Sequence, residues 1–162
     1  MKCRSLFLFS LVLSLLTLSG CKPSPASLMT AVKANNTEEA RKLIEKGADA
    51  NSRTSPIGWS ALHYAARNGN VEIIQLLLKA GADPNYAGTM EGQTGSAVAM
   101  RPLALARASL DLISQVPASQ MAATLHQIGL DDPALVKSLQ DPTASDRYRK
   151  VVNILTNVTK DQ

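Results

Sequence analysis

SALHYAARNGNVEIIQLLLKAGADPN, residues 60–85, answers to ASLMTAVKANNTEEARKLIEKGADAN, residues 26–51, at an offset of 34 positions and without a gap. Leu28/Leu62, Ala31/Ala65, Asn36/Asn70, Glu38/Glu72, Leu43/Leu77, Gly47/Gly81, Ala48/Ala82, Asp49/Asp83 and Asn51/Asn85 are identical. Self-similarity at such a period means that one supersecondary unit is stacked on its neighbour, because neither can bury its apolar face alone.

The second copy shows how each unit is built. Ser60 is an N-cap candidate for a first helix that turns Leu62, Ala65 and Ala66 inward. Gly69 can take the left-handed conformation that ends this helix, and Asn35 stands in its place in the first copy. A second helix is expected over about 71–79, with Ile73, Ile74, Leu77 and Leu78 towards the stack. Gly81 then stops it, and Asp83 and Asn85 begin an extended turn. With Ser60-Ala61-Leu62-His63-Tyr64-Ala65-Ala66 and Gly81-Ala82-Asp83 at these places, the copy resembles an ankyrin repeat.

A third copy opens at Arg101-Pro102-Leu103-Ala104-Leu105-Ala106, with arginine at the cap position. Its second helix is missing where it should follow. Val151-Val152-Asn153-Ile154-Leu155 instead resembles Ile73-Ile74-Gln75-Leu76-Leu77, displaced by 78 residues rather than 41. Two readings are open here: a repeat interrupted by a helical insertion at about 108–145, or a divergent C-terminal cap. Ser119 to Ile128 reads as amphipathic helix, and Asp132-Pro133 begins another that runs to Leu139. These helices are expected to cover the last repeat's apolar face. The linker Tyr86 to Met100 exceeds what a repeat needs and predicts an extended, mobile finger. The expected fold class is all-α: a short ankyrin-repeat solenoid with two full repeats, an interrupted or divergent third and extra C-terminal helices.

Upstream of the repeats, Lys2 and Arg4 precede the apolar run Leu6 to Leu18, which is too short to span a bilayer comfortably but suits a signal peptide. The run closes on Leu18-Ser19-Gly20-Cys21, which resembles the bacterial lipobox. That resemblance implies cleavage before Cys21 and acylation of its thiol, a palmitate-type anchor held by buried methylenes worth about 0.8 kcal/mol each. The organisation is then a signal peptide at 1–20, an acylated cysteine and Pro-rich tether at 21–26, and the ankyrin-repeat domain at 27–162. Lys22, where aspartate would resemble an inner-membrane retention signal, points to the inner leaflet of the outer membrane, facing the periplasm. Cys3 leaves with the signal, so the mature chain is expected to form no internal disulfide.

Composition narrows the function. Hydrophobic residues are 45 % of the 162 and charged ones 19 %, which excludes wholesale disorder. Aromatics are only 4 %, which favours small helical elements. Without Lys2 and Arg4 the balance is 15 basic against 13 acidic residues, so no nucleic-acid partner is expected. His63 sits at the motif position that braces turns in the ankyrin family. His126 has no Cys, Asp or Glu at helical spacing, and Gly88, Gly92 and Gly95 lack the lysine and Ser/Thr of a phosphate loop. No catalytic residue, metal or cofactor is expected.

Binding remains. The ankyrin resemblance implies a concave surface made of finger tips and first helices, which places Arg53, Trp59 and Tyr86 on the fingers and Lys33, Ala34, Arg67 and Asn68 on the helices. Arg53, Trp59, Arg67, Asn68 and Tyr86 are the candidate partner-binding residues, since tryptophan, tyrosine and arginine anchor interfaces. Met90, Glu91 and Gln93 could extend the surface, whereas Asp131-Asp132 reads as a helix-entry device. Three roles are open: an immunity protein that neutralises a secreted toxic effector such as a phospholipase, a scaffold or stress-protection factor docking a resident periplasmic protein, and lipid or peptidoglycan handling by the insertion. In each, Cys21 fixes the chain to a membrane.

Overall fold

The computed structural model describes residues 23–55, 58–91, 97–128, 130 and 132–160, so the expected leader and Cys21 lie outside the described residues. The first copy forms α1 (Pro25–Lys33) and α2 (Thr37–Glu45), and the second forms α3 (Ala61–Arg67) and α4 (Val71–Lys79). The second helix of each pair starts on an asparagine that satisfies an orphan backbone donor. Asn36 Oδ1 accepts from the Glu39 N–H at 3.1 Å, and Asn70 Oδ1 from that of Ile73 at 2.9 Å. Within each pair the chain reverses through one left-handed residue, Asn35 at φ 56° and Gly69 at φ 66°.

Two rows of helices make the stack. α1, α3 and α5 (Pro102–Gln115) pack in series as first helices, while α2, α4 and α8 (Ala144–Lys160) form the second row. α5 and α8 pack against each other as the third pair, although α6 (Met121–Gln127) and α7 (Pro133–Gln140) separate them in sequence. Val151 and Leu155 are fully buried in the third unit, as Ile73 and Leu77 are in the second. The intervening segment is 116–143, because the apolar positions Leu110, Leu112 and Ile113 carry α5 on to Gln115.

The main core runs the length of the stack through Leu28, Val32, Leu62, Ile73, Ile74, Leu77, Val151 and Leu155. Each large side chain buried this way contributes about 1.5–3 kcal/mol. Ala40, Ala65, Ala66 and Ala106 lie among them and let the helices approach closely. A second, smaller core differs from the expected covering of the last repeat. Met121, Leu125, Leu135, Leu139, Ala144 and Tyr148 pack together with the far end of α5, so the insertion has an interior of its own.

The extended finger expected before α5 is a two-stranded hairpin. β1 (Gly88–Glu91) pairs antiparallel with β2 (Ala97–Met100), with Gly88 opposite Met100 at its base. The first finger is shorter and closes through one bridge between Arg53 and Ser60. Asn51 links the two copies: its Nδ2 donates to the Gly81 carbonyl at 3.0 Å, and its Oδ1 accepts from the Asp83 N–H at 2.9 Å.

Candidate protein-binding face

His63 organises the side of the stack that carries the fingers. Its Nδ1 accepts from the Ser60 N–H at 3.2 Å and lies 2.7 Å from the Ser60 hydroxyl, which closes the start of α3. An accepting Nδ1 puts the proton on Nε2, which donates to the Met100 carbonyl at 2.8 Å. Nε2 also sits 3.2 Å from the Gly88 nitrogen, so one imidazole touches both strands at the base of the second finger. Burial pushes the His63 pKa below its ordinary value, and the bond to Met100 opposes this only in part. The ring is therefore a neutral brace at pH 7.

Around this brace the aromatic and cationic side chains touch in an unbroken series. Lys33 Nζ lies 4.7 Å from the Tyr64 ring centre, and Tyr64 meets Trp59 edge-on at 5.2 Å. Trp59 stacks on His63 at 6.0 Å, and Tyr86 meets His63 edge-on at 5.8 Å. The Arg53 guanidinium completes the series 3.9 Å above the Tyr86 ring. Arg67 reaches back over Tyr64 at 5.3 Å and Trp59 at 5.8 Å. Cation–aromatic contacts at exposed sites contribute about 0.5–1 kcal/mol each, so the series is pre-ordered rather than strongly stabilising.

The expected binding residues divide by exposure. Arg53 is exposed and Tyr86 half-buried, both at the finger bases. Trp59 is only 5 % exposed, and its indole N–H is buried without an acceptor. Asn68, expected on the surface, is fully buried: its Nδ2 approaches the Val32 and Lys33 carbonyls at the end of α1, at 3.4 and 3.5 Å. Arg67 is also withdrawn, because α7 comes over it and the Arg67 guanidinium pairs with Asp132. Ser138 of α7 donates to the Asn68 carbonyl and Tyr148 of α8 to the Arg67 carbonyl, so these two helices together clamp the end of α3. Asp132 also caps α7, accepting from the Ala134 N–H at 3.0 Å, as a helix-entry residue should. Lys33 and Tyr64 are the functional candidates on the helices; Tyr64 carried no sequence signal beyond its place in the motif. Glu91, Met90 and Gln93 lie where side chains are not described.

The Ser60 hydroxyl on His63 Nδ1 pairs a nucleophile with a base, but both residues are buried, 4 % and 0 % exposed, and the pair closes the start of α3. Among the described residues no three His, Cys, Asp or Glu side chains gather as a metal group, and no helix is long and apolar enough to cross a membrane.

Stacked helix pairs with fingers on one side define an α-helical repeat solenoid. The family profile described as "Ankyrin repeats (3 copies)" matches residues 6–87, half of the chain, and this chain belongs to that family. The match starts inside the apolar run read as a leader. Among relatives, a mitochondrial disaggregase of Bos taurus is 52 % identical over 60 residues, covering 37 % of this chain and 9 % of that protein. A 2-5A-dependent ribonuclease of Mus musculus is 45 % identical over 60 residues, 37 % of this chain and 8 % of its own. A putative ankyrin repeat-containing protein of Treponema pallidum (strain Nichols) is 41 % identical over 73 residues, 45 % and 24 % of the two chains. The chain thus spans a small fraction of each relative. What is shared is the repeat, typically a non-enzymatic protein-interaction fold.

Proposed function

We propose that the chain is a lipid-anchored periplasmic protein-binding module, and specifically an immunity protein that neutralises a toxic antibacterial effector such as a phospholipase delivered into the periplasm. The observation that carries the binding role is the continuous series from Lys33 to Arg53, rigidly backed by His63 and open at both cationic ends. The anchoring role rests on Leu18-Ser19-Gly20-Cys21, and the effector on analogy with small ankyrin lipoproteins of bacteria. The mechanism is steric. A protein seated on the fingers and first helices would have its active site, or its lipid-facing surface, covered. Tethering through Cys21 to the inner leaflet of the outer membrane would raise the local concentration of inhibitor where the damage occurs.

The test is recovery of tagged full chain from gently solubilised envelopes, with and without attack by sibling competitors. A stoichiometric secreted hydrolase, recovered only under attack and lost on Arg53→Glu, supports the proposal. A resident envelope protein bound equally under both conditions replaces inhibition with scaffolding. Recovery of nothing stable overturns both. Cys21→Ser, followed by fractionation, should move the chain out of the membrane fraction; an unchanged distribution would contradict the anchor.

A further inference from the structure

Charges of one sign run along α1, α3 and the first finger, whereas α5 and the second finger bring in Asp111 and Glu91. α1, α3 and the first finger, 52–59, contain no aspartate or glutamate, yet supply Lys33, Arg67 and Arg53. The second helices carry most of the helical acids: Glu38, Glu39 and Glu45 on α2, Glu72 on α4 and Asp146 on α8. Three of those acids pair with bases on their own side, Glu38 and Glu72 with Arg41 and Asp146 with Arg149. Among the described residues Lys33 and Arg53 form no ion pair, while Arg67 forms one.

That one pair shows what the face accepts. Asp132 comes from a loop of the insertion and sets its carboxylate on a guanidinium that lies over Tyr64 and Trp59. Arg53 over Tyr86, and Lys33 over Tyr64, repeat this cation-on-ring arrangement with the carboxylate missing. Ring contacts on one side hold each cation in place, so little side-chain freedom remains to be lost when an acid arrives.

Resting on the protein-binding reading above, we infer that the partner docks through an acidic segment whose carboxylates pair with Lys33 and Arg53, flanking the site that Asp132 already fills on Arg67. Steering by opposite charge would speed encounter and make binding salt-sensitive.

The test uses the detergent-solubilised full chain and a random peptide library. Clones should be enriched in Asp and Glu over the input, and a synthetic peptide from them should quench or shift the fluorescence of Trp59, the only tryptophan. Lys33→Glu with Arg53→Glu, both exposed, should weaken that peptide at least about tenfold. Lys33→Gln should weaken it less, and Lys46→Glu on the α2 side should leave it unchanged. Unfolding temperatures of all variants exclude loss of fold. Clones without acid enrichment, or clones indifferent to the double reversal, would overturn this inference while leaving protein binding intact. No clones above background would overturn both. Charge-dependent binding to phosphatidylglycerol vesicles, with no acidic clones, would assign the face to lipid and also overturn it.

Discussion

Gly69 meets two demands at once, and they can be separated. Its φ of 66° calls for glycine or asparagine, and a Cβ there would lie 2.7 Å from the Tyr148 ring. Asn35 meets the same backbone demand in the first copy, and its Oδ1 accepts from Asn70 Nδ2 at 2.8 Å. Gly69→Asn should therefore destabilise by about 1–3 kcal/mol through overpacking. Asn35→Gly should cost about 1 kcal/mol, from one hydrogen bond and added backbone freedom. Urea denaturation of both variants checks the ordering. His63 gives a pH signature with a fixed sign. Burial lowers its pKa in the fold, so the unfolded chain takes up the proton first as the pH falls. The stability due to the neutral ring is present above its ordinary value of 6.5 and declines below it. Unfolding temperature should fall between pH 7.5 and pH 5.5, and His63→Gln should lessen that fall. Equal falls in the two proteins would contradict the brace. The role of His63 was legible from its place in the motif. The burial of Asn68 and Arg67 was not, because the covering groups Asp132, Ser138 and Tyr148 lie 65 to 81 residues away in sequence.

Asp132 joins two elements, and its two roles can be told apart by conservative substitution. Asn at this position keeps a good cap for α7 but removes the charge paired with Arg67. Asp132→Asn should cost under about 1 kcal/mol, as a partly exposed ion pair does. Asp132→Ala should cost about 1 kcal/mol more, the value of a lost cap. Chemical denaturation of the pair measures both, and a larger penalty for asparagine than for alanine would contradict this division. The third helix pair was readable because Val151 and Leu155 keep the burial pattern of Ile73 and Leu77. The boundaries of the insertion were not. Leu110, Leu112 and Ile113 extend α5 with apolar residues that serve the smaller core, and the sequence alone does not tell one core from the other. The second finger hid its strands for a similar reason. Gly88-Thr89-Met90-Glu91 has little β-propensity, and the base of its hairpin is held by His63 donating to the Met100 carbonyl, thirty-seven residues away in sequence.

Three helix pairs stacked in two rows leave the molecule with one ordered face that packing does not consume. Its aromatic rings are fixed by Trp59 and His63 from beneath, and among the described residues two of its cations, Lys33 and Arg53, form no ion pair. That this face seats a protein partner is the central proposal. Site-specific photocrosslinking in living cells tests it most directly, with p-benzoylphenylalanine replacing Arg53 on the face or Lys46 on the opposite side. The account predicts one adduct of defined mass at position 53, intensified under competitor attack, and none at position 46. An adduct at position 46 with none at 53 would contradict it.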